Sequence, residues 1–398
     1  IVIADGHLDI NGLTPKPITA TEIKVALDAV YWWPDKLGDE AQIRELAVTL
    51  PSREGGEATL KTSVRLKHLR QTRKKHDAWV KVWTDEIDCA VAVGAIPEAM
   101  LPNLHNQLKV QGTFAPAVTF SINMRNLHSA KLDVQGLPGT CKVTELGEFD
   151  PAYLKTDDFK QEVTEGVTRE GIFVGPGTGS YVPLRALPKH LQVATYVSEE
   201  WNFYKNKGFD IQRTTGAIRL NIEHGRYVYG GSTVTQQLVK NLFLSRQKTL
   251  SRKLEEAFIV WKVEEILSKE RILELYLNCI EFAPNVYGIT RAARFYFGKS
   301  PSRLSLLESA FLAGIKPKPG MGLGPLSKGR TPETGYWPER LYRVLLRMTM
   351  SGHLSSKRVI DMAPYTVYFK TWGGPRPSKQ GALPPGFEGD YWKPPGAQ

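Results

Sequence analysis

Residues 230–241, which read Gly-Gly-Ser-Thr-Val-Thr-Gln-Gln-Leu-Val-Lys-Asn, are suited to binding chemistry. Two glycines and a capping Ser-Thr pair predict a helix that starts here. Because residues four apart are neighbours on a helix, two adjacent stripes carry hydroxyls, amides and an ammonium. The stripes are Ser232, Gln236 and Lys240, and Thr233, Gln237 and Asn241. A helix N-terminus favours negative charge, so the pattern indicates a site for a polar, anionic ligand.

Two carboxylate positions could supply acid–base chemistry. Glu199 and Glu200 lie beside aromatic residues in a predicted helix. A carboxylate against aromatic surface loses hydration and becomes a better proton acceptor, although two solvated glutamates on a helix are the alternative. Glu256 lies four residues after Arg252. This spacing predicts either a helix-stabilising ion pair or, because an apolar run follows, a half-buried pair kept for function.

Four stretches, in order, resemble the transglycosylase domain of class A penicillin-binding proteins and of monofunctional peptidoglycan glycosyltransferases. They are Glu199-Glu200-x-x-Phe203-x-x-Asn206-x-Gly208-x-Asp210, residues 230–241, Arg252-Lys253-x-x-Glu256-Ala257, and residues 269–278, which read Lys-Glu-Arg-Ile-Leu-Glu-Leu-Tyr-Leu-Asn. The resemblance covers residues 183–318 and continues more weakly to residue 356. No transpeptidase motif such as S-x-x-K with K-T-G follows these stretches.

The resemblance implies a lysozyme-like helical fold that polymerises lipid II into glycan strands and releases undecaprenyl pyrophosphate. It makes Glu199 the general base, and Glu256 a second catalytic residue that positions cations or a metal at the leaving group. The implied substrate-binding residues are Ser232, Thr233, Gln236, Gln237, Lys240, Asn241, Lys248 and Arg252. No cofactor is required by this scheme, and a divalent ion (Mg or Mn) at the pyrophosphate is the one candidate.

The chain departs from the family pattern at three places. Glu200 replaces an aspartate, Asn206 replaces a histidine, and Ala283-Pro284-Asn285 stands where a glycine is usual. These changes leave Glu199 and the donor-site residues in place and fall on the acceptor side.

The elements that position these residues follow from periodicity. Alternating patterns at residues 58–66, 108–114, 118–124 and 130–134 predict an antiparallel sheet with one wet face, interrupted by short helices at 21–31 and 96–104. The fold class is therefore α+β. We expect a β-rich accessory domain at residues 1–170, a glycosyltransferase domain at 183–356 and a Pro/Gly-rich tail at 373–398.

Helix signals dominate after the glycine-rich linker at residues 171–180. They predict a helix from Pro188 to a stop at Gly208, one at 250–267, and one capped by Ser268. A capping box at residues 305–308 starts a helix that should end before Gly314, and residues 337–351 form another. Residues 211–228 either dip into a membrane, as in the family, or form a packed helix.

The net charge of +11 and the pI of about 9.3 predict a polyanionic partner or a solvated basic surface. No nucleic-acid-binding motif is present, so nucleic acid is not expected and an anionic membrane surface is. No run could span a bilayer, and the chain begins Ile1-Val2-Ile3. We therefore expect an enzyme of cell wall biogenesis at the periplasmic face of the bacterial inner membrane, anchored by an upstream segment.

The three cysteines leave two alternatives open. Cys89 and Cys141 form a disulfide in an oxidising compartment, or both they and Cys279 are buried free thiols. None of them lies in a C-x-x-C motif, so a zinc site is not expected.

Two other functions compete with polymerisation. A lysozyme-like enzyme could cut glycan with the same two carboxylates, although a neutral glycan needs no cationic cradle. A non-catalytic envelope scaffold could bind lipid II or glycan and contact envelope proteins through its β-rich domain.

Overall fold

The computed structural model describes residues 2–8, 13–32, 39–68, 76–156, 159–162, 173–245, 247–316 and 318–374. The predicted tail beyond residue 374 and the first two residues of the predicted linker lie outside this part. The chain forms two compact units, Ile1–Lys155 with Asn206–Leu267, and Thr156–Lys205 with Ser268–Gln398. These units divide the chain at other points than the predicted domain boundaries, which remain predictions.

Most of the strands lie before residue 146. They are β1 (Val2–Leu8), β2 (Ile18–Trp32), β3 (Asp39–Pro51), β4 (Glu57–His68), β5 (His76–Trp83), β6 (Ile87–Asp88), β7 (Lys109–Gln111), β8 (Thr113–Phe114), β9 (Ala117–Asn123), β10 (Asn126–Gln135), β11 (Lys142–Glu145), β12 (Gln161–Glu162), β13 (Phe173–Val174), β14 (Glu281–Ala283) and β15 (Val286–Tyr287).

The α-helices lie mostly after residue 188. They are α1 (Cys89–Gly94), α2 (Lys189–Glu199), α3 (Ile211–His224), α4 (Val234–Phe243), α5 (Leu250–Ile266), α6 (Lys269–Cys279), α7 (Ile289–Phe297), α8 (Leu306–Ile315), α9 (Leu323–Ser327), α10 (Tyr336–Met350) and α11 (Ser356–Ile360). The predicted α+β class is confirmed.

The main sheet of the first unit is antiparallel, with the strand order β1-β2-β3-β4-β5-β9-β10. Side chains alternate between the faces of a strand, so residues that pair across strands share one face. Val64 pairs with Ile43 on one side and Val80 on the other, and Val80 pairs in turn with Phe120. This apolar row confirms the antiparallel sheet that the alternation at residues 58–66 and 118–124 predicted.

The helix predicted at residues 21–31 is wrong, because this stretch lies within β2. Val25 pairs with Val48 and Leu27 with Leu46, so the alternation of apolar residues is used for cross-strand contacts. The predicted helix at residues 96–104 is also wrong beyond a single 3-10 turn at Glu98–Met100. Pro102 has no N–H group with which to continue it.

Residues 206–267 complete the first unit. Helix α3 is capped by Asp210 and ends at the left-handed Gly225, and it packs on β10. Arg219 Nη1 lies 2.7 Å from His128 Nδ1. Residues 211–224 therefore form a helix that packs on β10, and a membrane contact of residues 211–228 stays a prediction. Among the described ranges, no helix combines the length and apolar character that crossing a bilayer requires.

A disulfide joins Cys89, the first residue of α1, to Cys141, which precedes β11, whereas Cys279 is free and buried. The first of the two cysteine alternatives is thus confirmed. It ties together two segments of the first unit that lie 52 residues apart in sequence.

The second unit is a helical body. Helix α8 is nearly all buried, and α2 and α10 pack against it. Aromatic rings fill the region beside α8: Phe311 and Phe369 have centroids 4.9 Å apart, and Phe297 stacks on Phe369 at 5.6 Å. The capping box of Ser305 and Glu308 and the Ser268 cap of α6 are confirmed. Gly314 lies inside α8 rather than after it, and its carbonyl accepts from Arg340 Nη2 at 2.9 Å.

The helix that was predicted to run from Pro188 to Gly208 ends earlier. Pro188 is the residue before α2 rather than its first residue, and α2 ends at Glu199, because Glu200 is extended. A side-chain hydrogen bond then stabilises a turn after α2, in which Asn206 Oδ1 accepts from the Gly208 N–H at 2.9 Å. Such local bonds compete with helix formation.

Candidate active site

The predicted binding motif begins with a capped helix. The Thr233 N–H donates to Gln236 Oε1 (3.0 Å), and the Gln236 N–H donates to Thr233 Oγ1 (3.2 Å), which is a capping box. The Thr233 hydroxyl also donates to the Gly208 carbonyl at 2.7 Å. Both side chains are buried and hold the start of α4. Direct contact of Thr233 and Gln236 with a ligand therefore stays a prediction.

Gly208 and Asp210 of the first motif shape the backbone near this hydrogen bond. Gly208 has a φ of +87°, and a Cβ there would lie 2.4 Å from Val260 Cγ1, so both the conformation and the space require glycine. Asp210 Oδ1 accepts from the Arg213 N–H at 2.8 Å and caps α3. The glycine and aspartate of this motif thus have structural roles.

Glu256 is the centre of a cationic cluster, which consists of Arg252, Lys253, Glu256 and Ser232. Arg252 Nη1 donates to Glu256 Oε2 at 3.1 Å, and Lys253 Nζ donates to Glu256 Oε1. Lys253 Nζ also donates to Ser232 Oγ at 3.2 Å, at the start of the predicted binding helix. The Glu256 side chain is 2% exposed, whereas that of Lys253 is 37% exposed. The buried carboxylate therefore orients two cations that keep N–H groups available.

The sequence did not single out Lys253, although it belongs to the Arg252-Lys253 dipeptide of the motif. Its position three residues before Glu256 was the available signal, because residues three and four apart share a helix face. Arg252, at four residues, was assigned and is confirmed as an ion-pair partner of Glu256.

The remaining predicted binding residues lie along the same unit. Asn241 Nδ2 donates to the Gln237 carbonyl at 2.8 Å. Lys240 is half-buried near the end of α4, and Lys248 is exposed just before α5. The roles of these four residues stay predictions.

Glu199 belongs to the second unit, where it is the last residue of α2 and is 4% exposed. Its Oε1 lies 3.7 Å from Nζ of Lys316, whose side chain is fully buried. Lys316 Nζ donates to the Thr195 carbonyl at 3.0 Å and lies over the Tyr276 ring at 5.2 Å. Such an ammonium stabilises the carboxylate form, which is the form that can accept a proton.

Sequence reasoning missed Lys316. The signal was a lysine directly after the mostly apolar helix α8, a place where a buried charge needs a partner. Burial raises the pKa of the neighbouring Tyr196, and it raises the pKa of Tyr204 to about 12. Both phenols are therefore neutral at physiological pH.

The fourth motif is structural as well. Asn278 on α6 holds both backbone groups of Val182: its Oδ1 accepts from the N–H, and its Nδ2 donates to the carbonyl, each at 2.9 Å. Glu274 accepts from the Leu184 N–H at 2.6 Å and from Arg271 Nη1 at 2.6 Å. These bonds fix the segment around Val182 and Leu184 that leads into α2. They thereby hold the N-terminal end of the helix whose last residue is Glu199.

Both oxygens of Glu256 contact cations, Arg252 and Lys253, and a divalent ion at the pyrophosphate stays a prediction. In the part of the chain that the structure describes, no three His, Cys, Asp or Glu side chains group closely enough to hold a metal ion.

Comparison with known proteins agrees with this arrangement. Residues 172–348 match the protein family described as Transglycosylase. This range includes Glu199 and Lys316 of the second unit and all of the cationic cluster of the first. Residues 172–348 are therefore similar to a transglycosylase domain.

Similar proteins carry the same description. A biosynthetic peptidoglycan transglycosylase of Nitrosospira multiformis is 45% identical over 139 residues, which are 35% of this chain and 60% of that protein. Proteins of the same name from Burkholderia cenocepacia and Burkholderia multivorans are each 45% identical over 139 residues, 57% of their length. The chain thus spans about 60% of the length of these relatives or slightly less.

Proposed function

We propose that this protein is a peptidoglycan glycosyltransferase that polymerises lipid II into glycan strands and releases undecaprenyl pyrophosphate. The observation that carries the proposal is the cationic cluster around Glu256, within a transglycosylase domain and beside the start of α4. A diphosphate leaving group needs positive charge, whereas hydrolysis of a neutral glycan does not. This favours polymerisation over glycan cleavage.

In the proposed reaction, the 4-hydroxyl of the acceptor sugar attacks the anomeric carbon of the donor chain. Glu199 accepts the hydroxyl proton as general base, and the bond from the anomeric carbon to the pyrophosphate oxygen breaks. Lys316 supports this role, because its ammonium lies 3.7 Å from Glu199 Oε1 and favours the carboxylate form that can accept the proton.

The leaving pyrophosphate is neutralised by Lys240, Lys248, Arg252 and Lys253. Lys253 and Arg252 are oriented through Glu256, and charge-assisted hydrogen bonds of this kind are stronger than neutral ones. We propose that these cations serve in place of a divalent ion and that Glu256 positions them. Removal of divalent ions with EDTA should then leave the polymerisation rate unchanged.

Donor orientation is assigned to the polar stripes of α4. Ser232, Gln237 and Asn241 are proposed to contact the donor sugar and phosphates. Thr233 and Gln236 are proposed to act by fixing the start of α4, which their reciprocal bonds support.

The protein is proposed to work in the cell envelope, at the periplasmic surface of the inner membrane, and to leave peptide cross-linking to other proteins. The loop between α3 and α4 supports a membrane contact, since it exposes Tyr227 (76%) and Tyr229 (48%) beside Arg226. Aromatic and cationic side chains together favour a lipid interface. Envelope proteins are proposed as further partners of the β-rich region.

The test is incubation of the chain with labelled lipid II, followed by separation of the products on a gel. Long strands from the wild type, absent with Glu199→Gln and retained with the matched control Glu223→Gln on the exposed side of α3, would support the proposal. Shortening of preformed strands would favour a hydrolase. Binding of lipid II without any product would favour the scaffold.

A further inference from the structure

Helix α5 carries two faces with different partners. Glu255 and Glu256 are both about 1% exposed or less, yet consecutive helical residues point about 100° apart. Glu256 faces Arg252, Lys253 and the start of α4. Glu255 faces the β-rich part of the same unit, which the transglycosylase match at residues 172–348 does not include.

The Glu255 carboxylate is satisfied by residues 103 and 104. Its Oε1 accepts from the Asn103 N–H at 2.6 Å and from the Leu104 N–H at 3.2 Å, and its Oε2 accepts from Asn103 Nδ2 at 2.8 Å. A buried carboxylate is stable only when such donors replace the water that it has lost. The segment at residues 101–104 is thus the source of the hydrogen bonds that let Glu255 be buried in α5.

Two further bonds hold the same face of α5. The Ser251 N–H donates to the Leu13 carbonyl at 3.0 Å, and Lys262 Nζ donates to the Val143 carbonyl at 2.9 Å. Together with Glu255 they fix α5 from Ser251 to Lys262, about 16 Å along the helix. The β-rich part therefore sets the axial rotation of α5, and that rotation decides where Arg252 and Lys253 point.

We propose that Glu255 is a positioning residue through which residues 103 and 104 hold the cationic cluster against the start of α4. The β-rich region then supports the donor site rather than serving only as an accessory. This inference rests on the proposed function for its kinetic consequence, and it has a structural consequence that does not.

The test uses the full chain and exchanges the amide of Asn103 with the carboxylate of Glu255. Asn103→Asp places a carboxylate against Glu255, whereas Asn103→Asp with Glu255→Gln restores every bond, because the introduced amide accepts from both N–H groups and donates to the new carboxylate. Asn103 is exposed on its other side, so its substitution opens no core cavity. Asn106→Asp is the matched control: an exposed residue of the same loop with the same charge change.

With labelled lipid II, Asn103→Asp should raise KM about tenfold, equivalent to about 1.4 kcal/mol, because displaced cations bind the pyrophosphate less well. The double variant should return KM to within about twofold of the wild type. A purely structural role would lower kcat through the folded fraction and leave KM unchanged. Equal KM values for Asn103→Asp and Asn106→Asp would overturn the inference.

Hydrogen exchange without substrate separates this inference from the proposed function. Residues 230–237 should exchange faster in Asn103→Asp and return to the wild-type rate in the double variant. If the wild type makes no glycan but this exchange pattern holds, the proposed function fails and the positioning role stands. If the wild type makes glycan and exchange at residues 230–237 is the same in all variants, the positioning role fails.

Discussion

Lys316 and Glu199 form an ion pair inside the second unit, with 3.7 Å between Nζ and Oε1 and side chains that are 0% and 5% exposed. Removing one member of a buried pair leaves a charge that has lost both water and partner. We expect Lys316→Met to lower the free energy of unfolding by about 3–5 kcal/mol and to abolish glycan synthesis. Urea unfolding and the lipid II gel assay measure the two effects.

A double variant separates stability from catalysis at this pair. Lys316→Met with Glu199→Gln removes both charges of the pair, so it should recover most of the lost stability and still make no glycan. Recovery of activity in the double variant would show that Glu199 is not the base.

The Lys253 ammonium should matter through the pyrophosphate. Lys253→Met removes a charged hydrogen bond worth about 1.5–3 kcal/mol, so the inhibition constant of inorganic pyrophosphate should rise about 10- to 100-fold. Lys253→Arg should retain part of the affinity, because the charge remains. Lys357→Met, on the exposed α11, is the control for the loss of one positive charge. A Lys253→Met constant equal to the control's would exclude Lys253 from the anion site.

The sequence predicted the helical scaffold of the site well where local chemistry decides structure. The capping signals at Ser268 and Ser305 and the bounds of α5 and α10 needed no long-range information. It failed at residues 21–31, where helix-forming alanine and leucine lie in a strand. There, pairing of β2 with both β1 and β3 overrides local propensity.

Within the site, the sequence pattern located the motifs but did not identify which residues their side chains contact. Glu256 was found through Arg252, four residues away on the same helix. Glu199 was found without Lys316, which lies more than a hundred residues later in the chain, and Glu255 was passed over beside Glu256. Which of two adjacent glutamates meets cations and which meets amide N–H groups depends on tertiary packing, and single-sequence periodicity does not contain it.

His105, two residues after Asn103, should make stability depend on pH. Burial, and secondarily Arg53, lowers the pKa of His105 below its usual value of 6.5. Between the lowered pKa and 6.5 the unfolded chain binds more protons than the native one, so stability falls as the pH drops through this window. Above 6.5 both states are neutral and the group contributes nothing.

The difference between wild type and His105→Gln isolates this contribution from other titrating groups. Urea unfolding of both proteins should give stabilities that differ by a constant amount above pH 6.5, whereas below it the wild type should lose stability more steeply on acidification than the variant. A constant difference across the window would contradict the assigned pKa direction.

The number of cysteines that react with a thiol reagent tests the covalent structure. Cys89 and Cys141 are bridged, and burial raises the pKa of the Cys279 thiol to about 12, so the native protein should present no reactive thiolate. A maleimide reagent should therefore label no cysteine in the native chain, Cys279 alone after denaturation, and all three after denaturation with reduction, as read by intact mass.

Since the bridge closes a loop of 52 residues, Cys89→Ser with Cys141→Ser should cost about 4 kcal/mol of unfolding free energy, with Cys279→Ala as the unbridged control. Three labels without reductant would mean that no bridge forms, and β11 would lose its covalent tie to α1 while still holding Lys262 of α5 through Val143.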